Sequence, residues 1–147
     1  MAQTARPPVG ILLISHGPLA EALRKTALEV EPEGAGALAA LAIESSEKAE
    51  AASQRLERAL AAADSGSGVV VLTDMFGGTP SNMALAYLSP DRVEIVSGMN
   101  LPMVLKARVL AREGRGAHEI ACKVVEKGRH AIVAAAELLE ERKGSGA

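Results

Sequence analysis

Four short apolar runs divide the chain: Val9 to Ser15 (VGILLIS), Ala37 to Ile43, Val69 to Leu72 and Val93 to Val96. Short, uninterrupted and largely β-branched runs of this kind predict strands covered on both faces. The second run is rich in Ala, so strand and helix are hard to separate there, and its place between helices decides for strand. Between the runs the apolar period changes to that of a helix. Leu19, Ala22, Leu23, Ala27 and Val30 predict a first helix after Pro18, and Pro32, Gly34 and Gly36 mark the turn that follows it. Glu47 to Ala63 predicts a second helix. Glu44, Glu47, Lys48, Glu50, Arg55, Glu57 and Arg58 form its solvated face and approach. The loop DSGSG at 64–68 leads to the third strand. A helix over 80–88, the turn Ser89-Pro90-Asp91 and a helix from Leu101 to Arg112 with Pro102 in its first turn come next. Gly114 and Gly116 end that helix. Ala117 to Arg142 is expected to be mostly helical with a break at Gly128, and residues 143–147 to be a flexible tail.

Strands alternating with helices predict a single α/β domain over 1–147. It should be doubly wound, with a mainly parallel sheet of order 2-1-3-4 and helices on both faces. Composition narrows the rest. Hydrophobic residues make up 48 %, enough for a core without disulfides or metals as staples. One Phe, one Tyr and no Trp leave little for base stacking. With a net charge of -2 and no basic stripe, nucleic-acid binding is not expected. A single cysteine, Cys122, cannot close an intramolecular disulfide and fits a reducing, cytoplasmic setting. The N-terminus lacks the pattern of a signal peptide. No segment approaches the ~20 apolar residues of a membrane span, so any membrane role would go through a partner.

Open parallel sheets bind ligands beyond the carboxyl ends of their strands, where the strand order reverses. In a 2-1-3-4 sheet that point lies between the first and third strands, where the two most unusual loops fall: Ser15-His16-Gly17-Pro18, and Thr73 through Asn82. Gly77 and Gly78 allow backbone angles closed to other residues and a close approach to a ligand. Thr79 suits an N-cap and Pro80 the first helical position, with Ser81 and Asn82 in the first turn. The free N–H groups and positive dipole end of such a helix favour an anion such as phosphate. His16 ends the first strand, and Gly17 leaves its imidazole uncrowded, so it is a candidate nucleophile near neutral pH. Asp74, at the end of the neighbouring strand, is placed to bind one ring nitrogen of His16, fix its tautomer and leave the other nitrogen free. Each element also has a plainer reading: a tidy strand-to-helix turn, a hydrogen-bonded strand-end histidine, a turn-capping aspartate. Their convergence on one crevice favours phosphoryl chemistry.

The segments ILLISHGPLAEAL, VVVLTDMFGGTPSNMALAYL and VEIVSGMNLPMVLKA resemble the enzyme IIA domain of the mannose-type (mannose–fructose–sorbose) sugar phosphotransferase system, over roughly Val9 to Ala136. The most specific string runs from Asp74 to Asn82, supported by Ser-His-Gly at 15–17 and by Gly98, Asn100 and Pro102. The resemblance implies that His16 accepts a phosphoryl group from the phosphocarrier protein HPr and passes it to an enzyme IIB. It places the hydrogen-bonding aspartate on Asp74 and the phosphate loop on Gly78, Thr79 and Ser81, with Gly17, Thr73, Gly77 and Asn82 in support. It implies no cofactor. It further implies a homodimer in which a C-terminal strand, here a candidate over Arg129 to Val133, pairs with the partner subunit.

Two alternatives share this chemistry: the phosphocarrier subunit of a dihydroxyacetone kinase, and a regulatory module of a phosphotransferase system without a permease, acting on a regulatory target. The Gly-Gly-Thr-Pro-x-Asn loop argues for the mannose type. His118 and His130 are expected to be surface or interface residues, and Cys122 small core filler. Met75, Met83, Met99 and Met103 are expected mostly to pack, with a partner surface as the other reading. No metal-ligand spacing stands out.

Overall fold

In the computed structural model, residues 5–146 are described. The first four residues, part of the N-terminus read as lacking a leader, and Ala147, the end of the expected flexible tail, lie outside them. Four parallel strands form one sheet of order β2-β1-β3-β4: β1 Gly10–His16, β2 Leu38–Ile43, β3 Val69–Thr73 and β4 Val93–Ser97. Six helices accompany them: α1 Leu19–Val30, α2 Ala49–Ala63, α3 Thr79–Leu85, α4 Leu101–Arg112, α5 Ala117–His130 and α6 Ala135–Ser145. The doubly wound fold expected from the alternation is the fold observed.

Alternate strand residues serve two cores, which is why the strand runs are apolar on both faces. Ile11, Leu13, Val70, Leu72 and Val96 pack with α1, α4 and α5. Leu12, Ile14, Leu41, Ile43, Val69 and Val71 pack on the other face against α2 and α3. Each fully buried Val, Leu or Ile contributes about 1.5–3 kcal/mol of transfer free energy, so the two inner strands, buried along nearly their whole length, anchor the domain.

The structure corrects several local expectations. α5 does not break at Gly128, which lies buried inside the helix. A Cβ there would come within 2.5 Å of Met103 Sδ. The glycine lets α5 approach α4 closely, and that packing outweighs its helix-breaking tendency of about 1 kcal/mol. Arg129 and His130 complete α5, and the chain turns at Ala131 and runs irregularly to Ala134, so residues 129–133 form no strand in the single chain. Gly144 and Ser145 continue α6 instead of beginning a loose tail. α3 stops three residues short of Leu88, and α2 starts at Ala49 behind Lys48. Cys122 is exposed, not core filler. The buried stripe of α5 is Ala117, Ile120, Ala121, Val124 and Gly128, and Cys122 falls outside that helical period. Met99 and Met103 are buried and Met83 packs against the second core, whereas Met75 is exposed. His118 and His130 lie on the surface, as expected.

Candidate functional site

β1 and β3 are neighbours, with Ile14 opposite Thr73, so the residues that follow them emerge side by side. Ser15 shapes the first loop. Its hydroxyl accepts the Ala20 N–H at 2.8 Å and donates to the Gly17 carbonyl at 3.3 Å, satisfying a free donor at the start of α1, where Pro18 offers no side-chain cap. Gly17 holds φ at +52°, a conformation that suits glycine in this turn.

His16 and Asp74 meet as the sequence predicts. Asp74 Oδ2 accepts the His16 backbone N–H at 2.9 Å and lies 2.7 Å from His16 Nδ1. Asp74 Oδ1 accepts the Met75 N–H at 2.9 Å. The carboxylate is mostly covered, at 11 % side-chain exposure, whereas the imidazole is 50 % exposed. Burial pushes the Asp74 carboxyl up. The donors on its two oxygens and the nearby imidazole outweigh that and hold it below the usual carboxylate value of 3.8. An ionised Asp74 only accepts, so the 2.7 Å contact places the ring hydrogen on Nδ1. The lone pair is then on Nε2, pointing away from Asp74.

Nε2 faces the phosphate-loop candidate. A Cβ on Gly78 would come within 2.8 Å of His16 Cε1 and 3.4 Å of Nε2. Gly78 has ordinary extended angles, φ -79° and ψ 165°, so glycine is required there for space. Gly77, with φ +84° and nothing within 4 Å, is required for conformation. Together they start the helix one residue earlier than expected: Gly78 is the N-cap and Thr79 the first helical residue, without a side-chain cap. The backbone N–H groups of Gly78, Thr79 and Ser81 have no acceptor among the described residues.

The supporting residues divide. The Ser81 hydroxyl is buried and committed to the loop, accepting the Gly77 N–H at 3.0 Å and donating to the Gly78 carbonyl at 3.1 Å. It shapes the loop and does not point into the crevice. Asn82 Nδ2 donates to the Gly77 carbonyl at 3.4 Å. Thr73 pairs with Ser97 across β3 and β4, their hydroxyls 2.8 Å apart, and its carbonyl accepts the Gly98 and Met99 N–H groups. Thr79 is exposed and, with His16, Ile43, Glu44, Glu47 and Met83, lines a cleft of about 320 Å³. Glu44 is exposed, as expected of a solvated face, whereas Glu47 is partly buried and paired with Arg55 at 2.7 Å. Leu19, expected on the apolar stripe of α1, stands 46 % exposed, and Phe76, to which the sequence assigns no task, stands 74 % exposed next to Met75 in the chain. An aromatic residue in an otherwise polar loop of a chain nearly devoid of aromatics is the signal that would have found Phe76.

The profile of the EIIA-man family, described as PTS system fructose IIA component, matches residues 10–125. The chain is 30 % identical over 129 residues to the PTS system mannose-specific EIIAB component of Escherichia coli K12. The match covers 86 % of this chain and 39 % of that protein, so the chain spans about two fifths of that relative's length. Among solved structures, the PTS IIA protein associated with the fucose utilization operon of Streptococcus pneumoniae superposes with a TM-score of 0.79 at 27 % identity, covering 92 % of this chain and 99 % of that one. The mannose/sorbose-specific IIA subunit from Enterococcus faecalis gives 0.74 at 27 % identity, covering 88 % and 95 %. No helix among the described residues is long and apolar enough to cross a membrane.

Proposed function

The chain belongs to the EIIA-man family of phosphotransferase-system IIA components, phosphoryl carriers, and on that premise we propose that its carrier atom is His16 Nε2. The observation that carries this reading is the 2.7 Å contact between His16 Nδ1 and the ionised Asp74, which leaves Nε2 as the lone-pair nitrogen beside Gly78. The donor is phosphohistidine on an HPr-type carrier. Nε2 attacks phosphorus, the P–N bond to the donor histidine breaks, and the electron pair of that bond returns to the donor ring. Asp74 keeps its hydrogen bond to Nδ1–H throughout and offsets the positive charge that the His16 ring gains.

The transferring phosphoryl group spreads charge over its equatorial oxygens. The unpartnered N–H groups of Gly78, Thr79 and Ser81 and the exposed Thr79 hydroxyl are the donors for those oxygens. The second transfer runs the same step outward, to an enzyme IIB in sugar uptake. Exposed Leu19, Met75 and Phe76, in the segments that carry His16 and Asp74, suit contact with a protein partner. The carrier acts in the cytoplasm and meets the membrane only through its partners. Two copies associate through the C-terminal segment, where Ile132, Val133 and Leu139 are exposed and α6 buries none of its residues.

The test uses phosphoenolpyruvate, enzyme I and HPr, with intact mass and acid lability as readouts. The native chain is expected to gain one acid-labile phosphoryl group and His16→Ala none. An uncharged native chain in the presence of charged HPr would sink the reading.

A further inference from the structure

The end of the sheet opposite His16 carries a second cluster of chemistry-bearing side chains. Asp91 lies in the turn before β4, Glu94 on β4, and His118 in the first turn of α5. One donor atom from each lies within 4.8 Å of the other two. His118 Nδ1 is 3.0 Å from Glu94 Oε1, and the Asp91 backbone N–H donates to that same oxygen at 3.1 Å.

Charge is unbalanced at this place. Neither carboxylate has a Lys or Arg partner among the described residues. The adjacent Arg92 is taken by Asp64 and the Gly66 carbonyl, and Arg115 by Glu113 and Glu119. Two carboxylates therefore face one imidazole. Glu94 is largely covered, at 13 % side-chain exposure, so its charge is the less well solvated of the two. The ring's other nitrogen, Nε2, is 3.6 Å from Cys122 Sγ, one turn further along α5. The ionised Glu94 only accepts, so Nδ1 donates to it at 3.0 Å. A cation taking Nδ1 displaces that hydrogen and leaves the ring hydrogen on Nε2, facing the sulfur. Metal-bound histidines are usually oriented in this way, by an acceptor on the far nitrogen.

We propose that Asp91, Glu94 and His118 bind a divalent first-row transition cation of the zinc class through two carboxylate oxygens and imidazole Nδ1, with water completing the coordination. The donor set is the mixed oxygen–nitrogen type that such borderline cations take. Bonds of about 2.0–2.2 Å bring the donors of one ion to within ~4.4 Å of one another, and the exposed side chains of Asp91 and His118 make up the small remaining distance by rotation. The ion neutralises the paired carboxylates and clasps the first turn of α5 to β4. It lies away from the phosphoryl crevice, so the inference does not depend on the carrier reading.

The test is titration of the untagged full chain, stripped with chelator, with Zn²⁺ by calorimetry and with Co²⁺ by absorption. One saturable site per chain is expected, with a Tm that rises and levels off as the site fills. His118→Ala and Asp91→Asn should each weaken binding by about tenfold or more, while His130→Ala leaves it unchanged. Asn tolerates the φ of 65° at position 91, and circular dichroism checks that both variants are folded. Absence of a saturable site in the native chain would overturn the proposal, as would undiminished binding in both variants. A cobalt–thiolate band that disappears in Cys122→Ser would overturn this donor set.

Discussion

A histidine is made useful by what holds its second nitrogen. Asp74 binds His16 twice through one oxygen, at the backbone N–H and at Nδ1, fixing both the ring and the strand end that carries it. Asp74→Asn keeps the shape and removes the obligatory acceptor. It is expected to slow phosphorylation of His16 by about 10²-fold, read from the initial rate with HPr as donor. The same substitution has a signature in stability. A carboxyl whose folded pKa is lowered contributes stability that is present above its unfolded value and lost as pH falls through the folded one. The native chain should therefore lose part of its advantage over Asp74→Asn below pH 3.8. Urea midpoints of the two proteins, compared from about pH 6 downward, measure this, and a difference that stays constant with pH would refute it. At this scale the sequence was informative about residue types and less so about their tasks. Ser81 is read as a phosphate-loop residue, but its hydroxyl closes the loop, which leaves only its N–H for an oxyanion. Gly17, read for the space it leaves, also sets a backbone angle, with φ at +52°.

Elements were most legible where one periodicity ruled. The β-branched runs of β1 and β3 predict a doubly covered strand, and α2 and α4 bury a clear apolar stripe, whereas of the α1 residues read as a stripe only Ala27 is buried and Leu19, Ala22 and Val30 are exposed. Their ends were less legible, because an end is decided by which group satisfies the last free backbone donors. The start of α4, which falls at Leu101 as the sequence predicts, shows such a group at work. Asn100 is its N-cap and accepts the Met103 N–H at 3.0 Å, while its amide nitrogen reaches the Gly128 carbonyl of α5 at 3.5 Å. Asn100→Ala should cost about 1 kcal/mol, within the usual 0.5–2 range for losing such a cap. Chemical denaturation measures this, and an unchanged midpoint would show that the cap contributes nothing here. Gly128 shows the limit of local reading. Its helix-breaking tendency is visible in the sequence, but Met103, 25 positions away, is the reason it is needed.

At the scale of the whole molecule, α6 stands apart, burying none of its residues. Helices of this length are marginal in water without a packed face, and Ile132, Val133 and Leu139 leave apolar surface beside it. If this segment joins two copies, a chain ending at Ala134 should lose the dimer in light scattering while keeping its secondary structure by circular dichroism. A dimer that survives the truncation would move the interface elsewhere. The sequence alone determined the strand and helix order, the parallel sheet and the two loops that converge on its carboxyl edge, because periodicity and turn chemistry are local and the handedness of βαβ units leaves few topologies. Only the tertiary structure decided that Gly78 is small for His16, that Nε2 is the free nitrogen, and that Asp91, Glu94 and His118 gather at the far end. Those facts depend on distances between residues remote in the chain, and no local pattern records them.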